Sequence, residues 1–564
     1  MTSTEICAQA VACRTVLQLL HRVGVRHIVV APGSRSTPLV QAAAELEGLG
    51  HLQLWPVLDE RAAGFAALGM CRAGQLAVVL CTSGSATGHL LPSLQEAHGS
   101  STTVIALTAD RPVATRGLGA PQTVAQSGIY GPCAETIEGN FSLVGDARRL
   151  AGALSEAIAR RRPLHINVPL DVPLALASDA PPLPIDLPAT RFRPAGVQLA
   201  PPGPTDRTLV IAGPHLATVG LRAAWPMVAQ RAVITSEVTS GLADACPPDE
   251  QVRLFDTYLR DSATCAALLP DRIVRLGEWP ASKGLQLLLA LAKQQGIAVD
   301  VIEPGRRSDP DGHTRQSTAL PPELALADWL AAPVSQSQSP FAARWRAAER
   351  AAQQQAGHLL HQPEFAATEP GLVAALVRQL PVGSFVQVAN SMPIRDLDSF
   401  ACVAPALTVG FARGTNGIDG TLATAWGRAA VTQLPTVVLL GDCAYLHDLN
   451  SLSLVAGQPN LQVIVIDNRG GAIFDYLPAR EAMAPAIHER MFRQPHRVDL
   501  AGAARACGVS AIDVSGVAGF ASALAAKPSA QCIVVHVDPA VSECVHRRWQ
   551  ADLASAARAA IGLA

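Results

Sequence analysis

Two segments near residues 440 and 468 carry residue types suited to a divalent cation. TVVLLGD ends an apolar, β-branched run at Gly441 and Asp442, and QVIVIDNRGG ends the next such run at Asp467 and Asn468. The helical stretch DLNSLSLVAG lies between them. The three pieces read as one βαβ unit with Asp442 and Asn468 at neighbouring strand ends. An aspartate, an amide oxygen and a nearby backbone carbonyl make an incomplete, all-oxygen shell. Such a shell suits Mg²⁺, which keeps water and takes phosphate oxygens as its remaining ligands. Gly470 is the natural carbonyl donor, because without a side chain its backbone can turn towards the ion, and Gly441 lets the chain pass close to a diphosphate. Either segment alone is ordinary turn chemistry. Their spacing within one βαβ unit favours the site. No GxGxxG opens a helix after a strand and there is no Walker A motif, which weighs against NAD and ATP.

The elements that must position these residues recur along the chain. HIVVAPG, AVVLCTSG, TVIALTAD and HINVPLD come first. TLVIAG, AVITSE, RIVRLG and AVDVIEPG follow, then SFVQVAN, TVVLLGD, QVIVIDN and CIVVHVD. Continuous apolar strands alternating with helical patterns call for parallel sheets covered on both faces. Ligands of such sheets lie beyond the carboxyl ends of the strands. A proline-rich stretch at 178–207 and the polar PVSQSQSP at 333–340 read as linkers. The expected fold class is α/β, with three domains at 1–180, 205–333 and 345–564, each holding a mainly parallel sheet covered by helices.

Composition narrows the function. The 564 residues are 49% hydrophobic and 16% charged, enough for large cores and against disorder. A net charge of -2 and 4% aromatics give no support for nucleic-acid binding. The 12 cysteines form no CxxC pair and are expected to be reduced core residues of a cytoplasmic protein. The N-terminal segment reads as an amphipathic helix rather than a signal peptide, and no apolar run approaches the ~20 residues of a membrane span.

APGSRSTPL, DERAAGF, TSGSA, ALTADRP, NSMPIRDLD, ARGTNGIDG, GD-x5-DLNSL and NRGGAIFDYLP, with SKG at 282–284, resemble the 2-succinyl-5-enolpyruvyl-6-hydroxy-3-cyclohexene-1-carboxylate synthase (MenD) family of thiamine-diphosphate (ThDP) enzymes. The third residue of the metal motif is Cys443 where the broad ThDP family has Gly, and Asp467 stands where many relatives have Asn. The resemblance implies pyrimidine-binding, central and diphosphate-binding domains in that order. It implies ThDP with Mg²⁺ or Mn²⁺ held by Asp442, Asn468 and Gly470. Gln122, Ser391, Met392, Ile418 and Gly441 would contact the cofactor, with Ile418 propping it into a bent shape. Glu60 would be the catalytic carboxylate on the aminopyrimidine, its pKa raised by burial. Ser34, Arg35, Arg111, Gln122, Lys283, Ser391, Arg395 and Arg413 would meet substrate, and Ile473, Phe474 and Leu477 would wall the acceptor ring. Two dicarboxylates need several guanidinium forks. Singly, each of these arginines reads as a surface charge, Glu60 as a solvated glutamate and the apolar residues as core.

The activity implied is decarboxylation of 2-oxoglutarate and conjugate, Stetter-like addition of the succinyl carbanion equivalent to isochorismate, in menaquinone biosynthesis. The partners implied are those two small molecules and further copies of the chain, a dimer or tetramer with sites at the subunit interface. An acetolactate-synthase-like carboligase or a 2-oxoacid decarboxylase is the nearest rival. A non-catalytic binding protein on a decayed scaffold is a more distant one, opposed by an intact Glu60, Asp442 and Asn468.

Overall fold

The computed structural model describes residues 3–563 apart from 177, 189–195, 204–205, 216–217, 304–307, 333–338, 382, 402–406 and 527–530. Three sheets appear in the described residues. The first holds β1 (Val25–Val30), β2 (Gln53–Pro56), β3 (Leu76–Cys81), β4 (Ile105–Asp110), β5 (Glu135–Glu138) and β6 (Leu164–Pro169), in the order 2-1-3-4-6-5. The second holds β7 (Thr208–Ala212), β8 (Val233–Ser236), β9 (Arg272–Leu276), β10 (Ala298–Ile302) and β11 (Thr314–Thr318), in the order 11-10-9-7-8. The third holds β12 (Phe385–Val388), β13 (Thr408–Gly410), β14 (Thr436–Gly441), β15 (Leu461–Asp467), β16 (Ala511–Ser515) and β17 (Cys532–His536), in the order 13-12-14-15-17-16. The strand pairs are parallel. Central strands such as β4 and β7 are buried along their whole length, as continuous apolar runs require when helices cover both faces. The expected α/β class with three parallel sheets is observed.

By contact the chain forms two compact units. One contains Met1–Phe192, Ala412–Leu434 and Ala444–Leu461; the other contains Arg193–Phe411, Pro435–Cys443 and Gln462–Ala564. In the first unit the helices Glu60–Arg72 and Thr421–Thr432 meet at nearly backbone distance. A Cβ on Gly69 would lie 2.0 Å from the Thr424 carbonyl oxygen, and one on Gly427 would lie 2.0 Å from that of Ala66. Only glycine permits this approach. Trp55 and Trp426 close the contact edge to face at 5.7 Å. In the second unit a single apolar core runs from Leu209 and Ile273 of the second sheet to Val386, Leu439 and Ile533 of the third.

The N-terminal segment is helical over Ser3–Arg22, as expected. The 178–207 stretch differs from a free linker. The Arg14 guanidinium donates to the Ser178 and Ala180 carbonyls, the Leu183 N–H donates to Thr15 Oγ1, and Ile185 is buried. Proline forbids regular structure there but not docking onto a helix. Residues 189–195 and 204–205 of that stretch, and 333–338 of the second linker, lie outside the described residues. The eleven described cysteines are free, but only Cys13, Cys81, Cys246, Cys265 and Cys532 are buried, and Cys544 is exposed. The core-cysteine expectation therefore holds for five of them. No helix of the described residues is long and apolar enough to cross a membrane.

Candidate active site

At the carboxyl end of the third sheet, the neighbouring strands β14 and β15 end at Gly441 and Asp467, immediately before Asp442 and Asn468. Asp442 is buried. Its Oδ2 accepts the Gly470 N–H at 2.7 Å and lies 3.1 Å from His496 Nε2, and its Oδ1 accepts the Cys443 N–H at 2.6 Å. Asp467 Oδ1 lies 3.8 Å from the same His496 nitrogen. One ligand atom each from Asp442, Asp467 and His496 falls within 4.8 Å of the others. Burial, and then the charge of Asp467, push the Asp442 carboxyl above its usual range. Asn468 is buried as well, and its Oδ1 has no hydrogen-bond partner. An orphaned amide oxygen and a crowded pair of carboxylates share one need, a hard cation. The residues therefore fit a divalent ion. Gly470 has φ +131°, and a Cβ there would lie 2.1 Å from the Arg493 carbonyl oxygen.

The first sheet presents a different set. Glu60 opens the helix Glu60–Arg72, whose N-cap, Asp59, accepts the Arg61 and Ala62 N–H groups. The second Asp59 oxygen accepts the Asn450 amide at 3.0 Å. Glu60 itself is half-buried, so one copy of the chain does not supply the full burial expected for it. Ser34 is exposed on the turn after β1. Arg35, next to it, is buried, and its Nη1 donates to the Leu170 carbonyl at 2.7 Å. Burial, and next the neighbouring charge of Arg111, lower the Arg35 pKa. Arg111 is tethered to the Pro121 carbonyl, and Gln122 follows with φ +58°. Gln122 and Ser83 exchange two hydrogen bonds, Oγ to carbonyl at 3.0 Å and Nε2 to carbonyl at 3.1 Å.

Arg413 and Ile418 lie on the loop before the helix Thr421–Thr432, in the same unit as Glu60. Buried Glu96 holds that loop. Its carboxylate accepts the Gly414 N–H at 3.1 Å, the Thr415 N–H at 2.7 Å and the Thr415 hydroxyl at 3.0 Å, and Arg72 pairs with it at 2.6 Å. Asp448 accepts the Leu422 and Ala423 N–H groups at the start of the following helix. Burial raises the Asp448 pKa to about 6.

In the second unit Ser391 caps the helix Met392–Phe400 with φ +73° and ψ -132°. Strain of this kind in a residue that is not glycine persists where surrounding structure enforces it, often at functional sites. Arg395 and Lys283 line one small cleft together with Glu237, Asp256 and Asp398. Asp256 accepts the Ser282 hydroxyl at 2.6 Å and the Gly284 N–H at 2.9 Å, which fixes the start of the helix bearing Lys283. Ile473 and Phe474 are half-buried on the turn Ala472–Tyr476, Leu477 just beyond it is 43% exposed, and Phe474 packs on Phe492 at 5.3 Å.

Residues 12–129 match the family described as thiamine pyrophosphate enzyme, N-terminal TPP binding domain. The chain is 37% identical over 524 residues to the 2-succinyl-5-enolpyruvyl-6-hydroxy-3-cyclohexene-1-carboxylate synthase of Chloroflexus aurantiacus, covering 86% of each. It is 35% identical over 559 residues to the enzyme of the same name from Synechococcus sp. (strain RCC307), covering 93% of each. It is 36% identical over 547 residues to that of Kineococcus radiotolerans, with 92% of this chain and 94% of the other covered. The chain belongs to the 2-succinyl-5-enolpyruvyl-6-hydroxy-3-cyclohexene-1-carboxylate synthase family.

Within this synthase fold each unit gathers its own subset of the expected residues. Ser34, Arg35, Glu60, Arg111, Gln122, Arg413 and Ile418 fall in the first; Lys283, Ser391, Met392, Arg395, Gly441, Asp442, Asn468, Gly470, Ile473, Phe474 and Leu477 fall in the second. Sequence reasoning missed the residues that hold these in place. Asp59, Asp448 and Asn450 stand inside quoted motifs, yet their roles as cap and clamp appear only in the fold. Glu96 grips residues 318 and 319 positions away, and His496 reaches Asp442 across 54. No spacing rule announces such contacts.

Proposed function

We propose that the chain uses ThDP and a divalent cation, Mg²⁺ or Mn²⁺, to decarboxylate 2-oxoglutarate and add the succinyl unit to isochorismate. The product is 2-succinyl-5-enolpyruvyl-6-hydroxy-3-cyclohexene-1-carboxylate, on the way to menaquinone. The observation that carries the cation reading is the buried, unpartnered Asn468 Oδ1, two residues from the Gly470 N–H that Asp442 holds. Asp442 and Asn468 would hold the ion with a carbonyl from Gly470, and Gly441 would let the diphosphate approach. Bound ThDP supplies an electron sink for the carbon that loses carbon dioxide.

The chain's own residues supply the rest. Glu60, held at a helix start by its neighbour Asp59, is placed to hold and return a proton through its carboxyl oxygens. Burial, and next the neighbouring charge of Arg111, lower the basicity of Arg35, and a bound carboxylate would relieve that repulsion. Lys283 and Arg395, sharing one cleft, offer a second cationic pair. Arg413 adds a fourth guanidinium. Ser34, Gln122, Ser391 and Met392 would contact cofactor or substrate, Ile418 would prop the cofactor, and Ile473, Phe474 and Leu477 would keep water from the acceptor ring.

The same reading divides the chain at 1–180, 205–333 and 345–564 into pyrimidine-binding, central and diphosphate-binding parts. It places the active sites of a cytoplasmic dimer or tetramer at subunit interfaces, which would complete the burial of Glu60. Mass spectrometry of the product formed from both substrates, ThDP and Mg²⁺ tests it. The expected result is the succinylated adduct, dependent on isochorismate. Turnover of 2-oxoglutarate with no adduct would point instead to a simple decarboxylase.

A further inference from the structure

His546 sits on the inward face of the C-terminal helix Pro539–Ala560 and is buried. Its Nε2 lies 2.8 Å from Asp396 Oδ1, and its Nδ1 lies 2.7 Å from the Ser542 carbonyl oxygen. With Asp396 ionised both neighbours are acceptors, so both ring nitrogens donate and the ring is an imidazolium. Asp396 follows Arg395 on the helix Met392–Phe400, and its other oxygen, Oδ2, is buried with no partner. His546 is thus the polar anchor of that helix on this side. Its ring also meets Phe400 of the same helix at 5.2 Å and Tyr476 at 5.6 Å, both edge on. Tyr476 stands between Phe474 and Leu477. Behind the ring, the Ser542 hydroxyl donates to buried Glu369.

One buried cation therefore touches two segments that the functional reading places against substrate. The first carries Ser391, Met392 and Arg395; the second carries Ile473, Phe474 and Leu477. We propose that His546 is a positioning residue that ties these two segments together, so that the Arg395 guanidinium and the apolar turn keep the spacing the acceptor requires. This rests on the proposed roles of Arg395 and of the 473–477 turn. The energetic reason is burial: Asp396 has no other described hydrogen-bond partner, and a buried carboxylate that loses its partner must take up a proton or shift towards another donor, either of which loosens the hold on its helix. A shift of about 1 Å in a substrate-holding group costs about a hundredfold in favourable cases.

The test is a double-mutant cycle in the holoenzyme with ThDP and Mg²⁺. His546→Gln is expected to lower kcat/KM for isochorismate by about tenfold or more, while metal-dependent ThDP affinity stays at the wild-type value. In an Arg395→Ala background the same change is expected to cost clearly less than in the wild type, because one of the two groups it positions is gone and only the 473–477 turn is left to misplace. Asp396→Asn, which keeps the shape and removes the charge, provides a milder second arm with the same non-additivity. Losses that add fully in both arms would make His546 a scaffold residue, and wild-type kinetics in both would remove it altogether. A wild-type protein that forms no product overturns the functional reading first. Turnover by the wild type with additive losses overturns this proposal alone.

Discussion

The carboxyl ends of the first and third sheets share a parallel architecture and carry opposite chemistry. At the first, beside the carboxylates of Asp59 and Glu60, stand cations whose donors are partly taken up by backbone carbonyls. Arg35 is spent partly on the Leu170 carbonyl, Arg111 on the Pro121 carbonyl and Gln122 on Ser83. At the third, anions crowd together and a buried oxygen is left without a donor. On the proposed function, the first end would meet carboxylates arriving from solution and the third would hold a cation. The difference teaches that strand-end geometry supplies only position. Side-chain charge, and which hydrogen bonds are left unmade, decide what binds there.

Removing the cation's anchor should break the third end most completely. Asp442→Ala is expected to lose the metal-dependent part of ThDP binding, because nothing then offsets the diphosphate charge as directly. Calorimetric titration with and without Mg²⁺ measures this, and an affinity still equally metal-dependent would move the ion elsewhere. At the first end, Glu60→Gln should leave that binding nearly intact and slow turnover by about 10²–10⁴-fold. Deuterium exchange at the thiazolium C2 of bound ThDP isolates the step, and wild-type exchange would take Glu60 out of catalysis.

The cationic groups offer a finer test. Arg35→Ala, Arg395→Ala and Arg413→Ala should each cost about 1.5–3 kcal/mol in kcat/KM for a dicarboxylate, tenfold or more, with ThDP affinity unchanged. Three variants with wild-type kinetics for both substrates would show that these arginines are structural.

The smallest effect is on stability. Burial lowers the His546 pKa, but Asp396 and then Glu369 outweigh it and raise the value to about 9 from 6.5. A raised histidine stabilises the fold fully below about pH 6.5, and the contribution is lost as pH rises through about 9. Glu369, raised mainly by burial, works in the same direction as it ionises. The groups facing the ring are Asp396, Glu369, Ser542 and Tyr476. Thermal unfolding should show stability falling by on the order of 2 kcal/mol between pH 6.5 and 9. His546→Gln should flatten that slope, and an unchanged slope would assign it to other groups.

Much of this protein was legible from its residues alone. Continuous apolar runs ending in Gly, Asp or Asn dictated parallel strands, because only a doubly covered sheet buries both faces of such a run. The pair Asp442 and Asn468 was readable because both lie at strand ends joined by one crossover, where local sequence sets position. The tertiary structure alone decided what presses on them. Asp467 and His496 crowd Asp442, the Gly470 N–H donates to it, and Asn468 Oδ1 goes unpaired. It also decided that residues 412–434 and 444–461 join the first unit, drawn there by Gly69 and Gly427 contacts and by Glu96. Periodicity and turn chemistry act over a few residues, whereas burial, charge crowding and glycine-close packing depend on partners hundreds of positions away.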